Sequence, residues 1–161
     1  MPPVDAEIET YSRHIQSLLY RIGAFLEGLT EAQLNRRPAI DGGNSPYVIA
    51  AHTLGNARAW VLGIACGRPV ERDRPTEFRA TGQDAAELVA NAQRLSDEIE
   101  AALAALPPSA LDRRLLPPKS LWGEGEPLEI SVREALLHVV EHASIHLGHL
   151  QMTRDLVLGG P

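Results

Sequence analysis

Four of the six histidines fall in one short stretch near the end of the chain: His138, His142, His146 and His149. Glu141 lies among them, in Leu136-Leu-His-Val-Val-Glu-His-Ala-Ser-Ile-His-Leu-Gly-His-Leu150. On a helix advancing roughly 100° per residue, the four rings fan over an arc of about 80°. Positions i and i+4 are neighbours on a helix surface, so neutral imidazoles project side by side, as a divalent first-row metal requires. Three pairings are open within the stretch: His138 with His142, His142 with His146, and His146 with His149. The first also matches the His-x-x-Glu-His pattern of inverted zinc proteases. Such enzymes need an acidic ligand far downstream, and too little chain follows His142 to supply one. Glu141 points about 100° away from His142 and reads as a surface carboxylate.

A stable site needs at least three ligands, so another helix must contribute. His52, in Ala50-Ala-His-Thr-Leu-Gly-Asn56, is the candidate. It shares a helix face with Asn56, Ala59 and Gly63, whose small side chains leave room for an ion and a ligand. Asn56 is one turn away and could hydrogen-bond the site.

The elements that must position these residues are helical. The first, about residues 5–29, carries Ile8, Tyr11, Ile15, Leu18, Leu19, Ile22, Phe25 and Leu26 in steps of three and four. Thr30-Glu-Ala-Gln33 reads as a capping box opening a short piece that Arg37-Pro38 ends. Asn44 or Ser45 caps a second long helix, with Pro46 at its first turn, and Gly67 stops it after Cys66. The polar, arginine-rich stretch 68–82 reads as a connection. The third helix, about 83–106, has a near-heptad stripe of Ala85, Leu88, Ala92, Leu95, Ile99, Leu103 and Leu106. Pro107-Pro108 ends it and opens a connection long enough to be functional, in which Trp122 could line a pocket mouth. Ser131-Val-Arg-Glu134 is a second capping box. It starts a fourth helix, about 131–158, whose core stripe is Val132, Leu136, Val139, Ala143, Leu147, Leu150 and Val157. The histidines lie at the edge of that stripe. Arg154, near the helix end, can hold an anionic group or a carboxylate partner. No strand alternation stands out. The expected fold is all-α, a four-helix bundle formed by a single domain over residues 1–161.

Composition narrows the function. The chain has 161 residues, 44% of them hydrophobic, and a net charge of −6. Lys119 is its one lysine, and there is no basic block, so no nucleic-acid partner is expected. No apolar run reaches the roughly 20 residues that span a bilayer, and the opening Met1-Pro-Pro-Val-Asp lacks the pattern of a signal peptide. Cys66 is the only cysteine and reads as a small apolar filler, which fits a reducing, cytoplasmic location. A homodimer is compatible with the apolar content, though no single stripe marks it.

The chain resembles the DinB-like superfamily, the YfiT-like metal-dependent hydrolases. The resemblance spans nearly its whole length. It rests on Asn44-Ser-Pro-Tyr-Val-Ile-Ala-Ala-His52 followed by Trp60, on Leu34-Asn-Arg-Arg-Pro38, and on Glu141-His142-Ala-Ser-Ile-His146-Leu-Gly-His149-Leu150 ending in Arg154. His149 stands where the family usually has Gln or a similar residue. The resemblance implies an antiparallel four-helix bundle with up-down-down-up order and His52, His142 and His146 as metal ligands. His138 and His149 then become neighbours of the site. The implied cofactor is a divalent ion, zinc or nickel, with water completing its shell. Relatives include thiol S-transferases acting with bacillithiol or mycothiol, and a mycothiol-dependent maleylpyruvate isomerase. The isomerases replace one histidine of the last helix by an acid and carry a second domain, and this chain has neither feature. The expected function is therefore a metal-dependent enzyme, a thiol S-transferase or hydrolase, activating a low-molecular-weight thiol or water for a small-molecule substrate. The alternative is a non-catalytic, stress-related or metal-binding bundle with a structural or vestigial site.

Overall fold

A computed structural model describes residues 5–159. Met1–Val4, part of the opening read for a signal peptide, and Gly160–Pro161 lie outside the described residues.

The local signals build the helices largely where the sequence places them. Helix α1 (Ala6–Leu26) is capped by Asp5, whose carboxylate accepts from the backbone of Glu7 and Ile8. Its stripe is buried from Ile8 to Leu26, with Phe25 only partly covered. Thr30 and Gln33 close the expected reciprocal box at the start of α2 (Glu31–Asn35). Ser45 caps α3 (Pro46–Ala57) with Pro46 in its first turn. Past Ala57 the structure departs from the expected regular helix. Residues Arg58–Ala65 continue the rod as a π-helix, a wider winding uncommon outside functional regions. Gly67 follows at φ +67°, a left-handed stop that costs glycine little.

Residues 68–82 are more than a connection. They contain α4 (Arg74–Glu77), capped by Asp73, which folds back over α3. Helix α5 (Ala86–Ala104) starts three residues later than expected and buries Leu88, Ala92, Leu95, Ile99 and Leu103. The long connection after it holds a strand pair that the sequence reading did not anticipate. β1 (Arg114–Leu115) and β2 (Ile130–Ser131) pair antiparallel, Arg114 opposite Ser131 and Leu115 opposite Ile130. Between them lies α6 (Lys119–Trp122). Helix α7 (Val132–Gly159) opens on the expected box: Ser131 N–H donates to Glu134 Oε2, and Glu134 N–H to Ser131 Oγ. All seven residues of its expected core stripe are buried.

The four long rods form a helical bundle around one apolar core. Helix α1 packs against α5 and α7, while the α3 rod packs against α7 and α5. Arg133, in the first turn of α7, pairs with Glu7, in the first turn of α1, at 2.7 Å, so these two helices run in the same direction. Gly23, late in α1, faces Val89, early in α5, so that pair runs in opposite directions. Contacts of His52 with His142 and of Asn56 with His138 set α3 against α7, also in opposite directions. This last seam carries the histidines.

Candidate metal centre

On α3, His52 is buried, 5% exposed, on the side facing α7. On α7, His142 and His146 are half-buried beside Ala143 and Leu147, which hold that helix to the core. The i, i+4 spacing sets their rings 4.3 Å apart, centroid to centroid. The His52 ring lies 5.0 Å from each of them. One ring nitrogen from each of the three falls within 4.8 Å of the other two. His52 Nε2 and His142 Nε2 are 3.2 Å apart. A tetrahedral ion bound at about 2.05 Å to two imidazoles separates their nitrogens by about 3.3 Å, so this donor set fits such an ion.

The electrostatics favour the ligating form of the rings. Burial, reinforced by His146, His52, His138 and Arg72, pushes the His142 imidazole down to about 2. Burial, with His52 and His149 nearby, pushes His146 down to about 4. Both are neutral at physiological pH, with lone pairs available to a cation.

His52 is braced from behind. Its Nδ1–H donates to Glu77 Oε2 at 2.8 Å. Glu77 in turn accepts from Arg72, Nε to Oε1 at 2.8 Å and Nη2 to Oε2 at 3.0 Å. Burial opposes the charge on Glu77, but the hydrogen bonds from His52 and Arg72 outweigh it and hold the carboxyl below its usual range. The Phe78 ring lies 4.6 Å from that of His52. Sequence reasoning missed Arg72, Glu77 and Phe78. The available signal was Asp73 followed by Pro75, a helix start inside a stretch read as connection.

The other histidines take different positions. His138 is stacked on Trp60, ring centroids 3.6 Å apart, and Asn56 Nδ2 donates to its Nε2 at 3.3 Å. It is thus held beside the three-ring cluster and not in it. Asn56 reaches His138 and not His52. Trp122 packs on Trp60 at 5.2 Å and lines the cavity onto which the cluster opens. That cavity, about 320 Å³, is also lined by Arg72, Arg74 and Phe78. His149 is exposed, its ring 5.4 Å from that of His146, and it lines a neighbouring cavity with Ile40, Ile49 and Met152. Arg154 stands two turns beyond His146 and lines neither cavity. Glu141 is exposed and lines neither of them. Burial pushes the Cys66 thiol up, the setting of an inert thiol and not of a nucleophile.

Fold and cluster together define a class: helical bundles with three converging histidines at the mouth of an open cavity. Within that class the chain belongs to the DinB superfamily, whose family model matches residues 15–150. Solved structures share the fold, among them the following two. YfiT from Bacillus subtilis, a probable metal-dependent hydrolase with an unusual four-helix bundle topology, superposes with a TM-score of 0.72 at 18% identity, covering 99% of this chain and 92% of its own. A conserved protein from Enterococcus faecalis superposes with a TM-score of 0.67 at 17% identity, covering 94% of this chain and 96% of its own. No curated protein matches the sequence. Among the described residues no helix is long and apolar enough to cross a membrane.

Proposed function

We propose that His52, His142 and His146 hold a divalent ion, zinc or nickel, and that the protein is a metal-dependent enzyme acting on a small molecule. The observation that carries this reading is the convergence of three imidazole nitrogens within 4.8 Å at the edge of a cavity. A divalent ion held by three neutral nitrogens lowers the pKa of a thiol or of water, which supplies a nucleophile at neutral pH. The chain's own residues do the rest. His142 and His146 present neutral donors because burial disfavours their protonation, and Glu77 accepts from Nδ1 of His52, which leaves Nε2 facing the cluster. Trp60 and Asn56 hold His138 aside, so that it does not close the cluster as a fourth ligand. An open coordination position distinguishes a catalytic site from a structural one. This favours the enzyme over a bundle with a purely structural site. Arg74 and Trp122 stand on the cavity wall, where a substrate entering from solvent must pass.

We take the substrate to be a low-molecular-weight thiol, or an electrophile attacked by one, with hydrolysis as the outcome when water takes the thiol's place. A single cysteine suits a reducing compartment, where such thiols are kept reduced. The test is metal analysis of protein purified without a histidine tag, followed by thiol-transfer and hydrolysis assays on wild type and His146→Ala side by side. One divalent ion per chain, with turnover in wild type alone, is the expected result. Equal rates in the two proteins refute the assigned chemistry.

A further inference from the structure

Three histidines account for the donors, yet one of them has an elaborate support that the other two lack. Nδ1 of His142 and Nδ1 of His146 are buried without a hydrogen-bond partner among the described residues. Nδ1 of His52 instead meets Glu77, whose side chain is 12% exposed, backed by the Arg72 side chain at 4%. The support is also built into α3. A Cβ at Gly55 would stand 2.1 Å from Glu77 Oε1 and 2.7 Å from Glu77 Cδ, so only glycine there lets the carboxylate lie against the helix.

Resting on the metal reading above, we propose that Glu77, clamped by Arg72 and admitted by Gly55, is a positioning residue that holds His52 as its Nδ1–H tautomer with the Nε2 lone pair directed at His142 and His146. An imidazole alone exchanges its proton between two nitrogens and rotates about χ2. A carboxylate accepting from Nδ1–H removes both freedoms and makes Nε2 the more basic donor. The clamp is needed because a free carboxylate would rotate. Arg72 binds both of its oxygens, leaving Oε2 fixed for His52. In Glu77→Gln, the Arg72 guanidinium claims the amide oxygen and turns the amide NH₂ towards His52. That NH₂ can only donate, so the ring moves its proton to Nε2, the nitrogen needed by the ion.

The test reads the tautomer and the affinity separately. Long-range ¹H–¹⁵N spectra of the metal-free protein at neutral pH report which His52 nitrogen carries the proton. Zinc affinity is measured by competition with a chromogenic chelator. The expected results are an Nδ1–H tautomer in wild type, an Nε2–H tautomer in Glu77→Gln, and zinc binding weakened about 10- to 100-fold by that change. Glu77→Asp keeps the carboxylate one methylene short and is expected to retain the wild-type tautomer with a smaller loss, which a merely structural role would not predict. An Nε2–H tautomer in metal-free wild type, or zinc binding by Glu77→Gln within twofold of wild type, overturns the inference. Wild type with the Nδ1–H tautomer and no zinc uptake overturns instead the metal reading on which it rests.

Discussion

Adding one methyl group at Gly55 tests the centre without touching a ligand. The Cβ of Gly55→Ala would meet Glu77 Oε1 at 2.1 Å and Cδ at 2.7 Å. Ordinary carbon–oxygen contact lies above 3 Å, so the carboxylate must retreat by about 1 Å. A retreat of that size directed away from His52 would take the 2.8 Å contact of its Nδ1 with Oε2 out to about 3.8 Å, beyond hydrogen-bond range. A hydrogen bond to a charged group contributes about 1.5–3 kcal/mol. Alanine's better helix propensity returns up to about 1 kcal/mol. The net cost to the metal-free protein is therefore about 0.5–3 kcal/mol. With an unfolding entropy of about 2.1 cal/mol/K per residue, a chain of 161 residues loses about 3 °C in Tm per kcal/mol, which gives a fall of about 1.5–9 °C. The change expected in function is larger. Zinc affinity drops about 10- to 100-fold, or about 1.4–2.7 kcal/mol, because His52 loses its orientation. Chelator competition and thermal melts with and without zinc measure both quantities. Affinity within twofold of wild type, with Glu77 shown to be displaced, refutes the argument that the carboxylate orients the ligand.

Further outcomes follow from the same geometry. His142→Ala and His52→Ala should each abolish stoichiometric zinc uptake while His149→Ala retains it, as metal analysis after dialysis will show, since His149 lies outside the cluster. Leu19→Ala, at a fully buried position of α1, should cost about 2–5 kcal/mol in urea unfolding without altering metal stoichiometry. Ser131→Ala removes one half of the α7 capping box and should cost about 1 kcal/mol, read as a Tm fall of about 3 °C. A hydrogen bond from Arg133 leads the effects that hold the Glu7 carboxyl below its usual 4.5. Its folded pKa is depressed, so its stabilisation is present above pH 4.5 and fades as pH falls through the folded value. Wild type and Glu7→Gln should accordingly differ in urea midpoint at pH 7, and the difference should shrink as the pH falls below 4.5.

Much of the scaffold was legible because its signals are local. Thr30 with Gln33, Ser45 with Pro46, Gly67, and Ser131 with Glu134 each fix a helix end through backbone groups within four residues. The core stripe of α7 was readable for the same reason, since periodicity alone decides which face of a long helix is apolar. The two-residue strand pair and the π-helical stretch were not. Neither β1 nor β2 is long enough to show alternation, and nothing in Arg58–Ala65 distinguishes it from an ordinary α-helix.

The sequence by itself determined that the last helix presents four imidazoles on one arc, because i, i+4 spacing is a property of the helix and of nothing beyond it. It left open which of the three pairs would meet a ring from another helix. Tertiary packing decided that: the approach of α3 brings His52 to His142 and His146, while Trp60 and Asn56, on the same rod, hold His138 aside. Packing alone also placed Glu77 and Arg72 behind His52, from a segment 25 positions away in the case of Glu77. No periodicity links a helix to a separate short segment that folds back over it. That contact exists because Gly55 leaves room for a carboxylate and a buried charge must find its partners there.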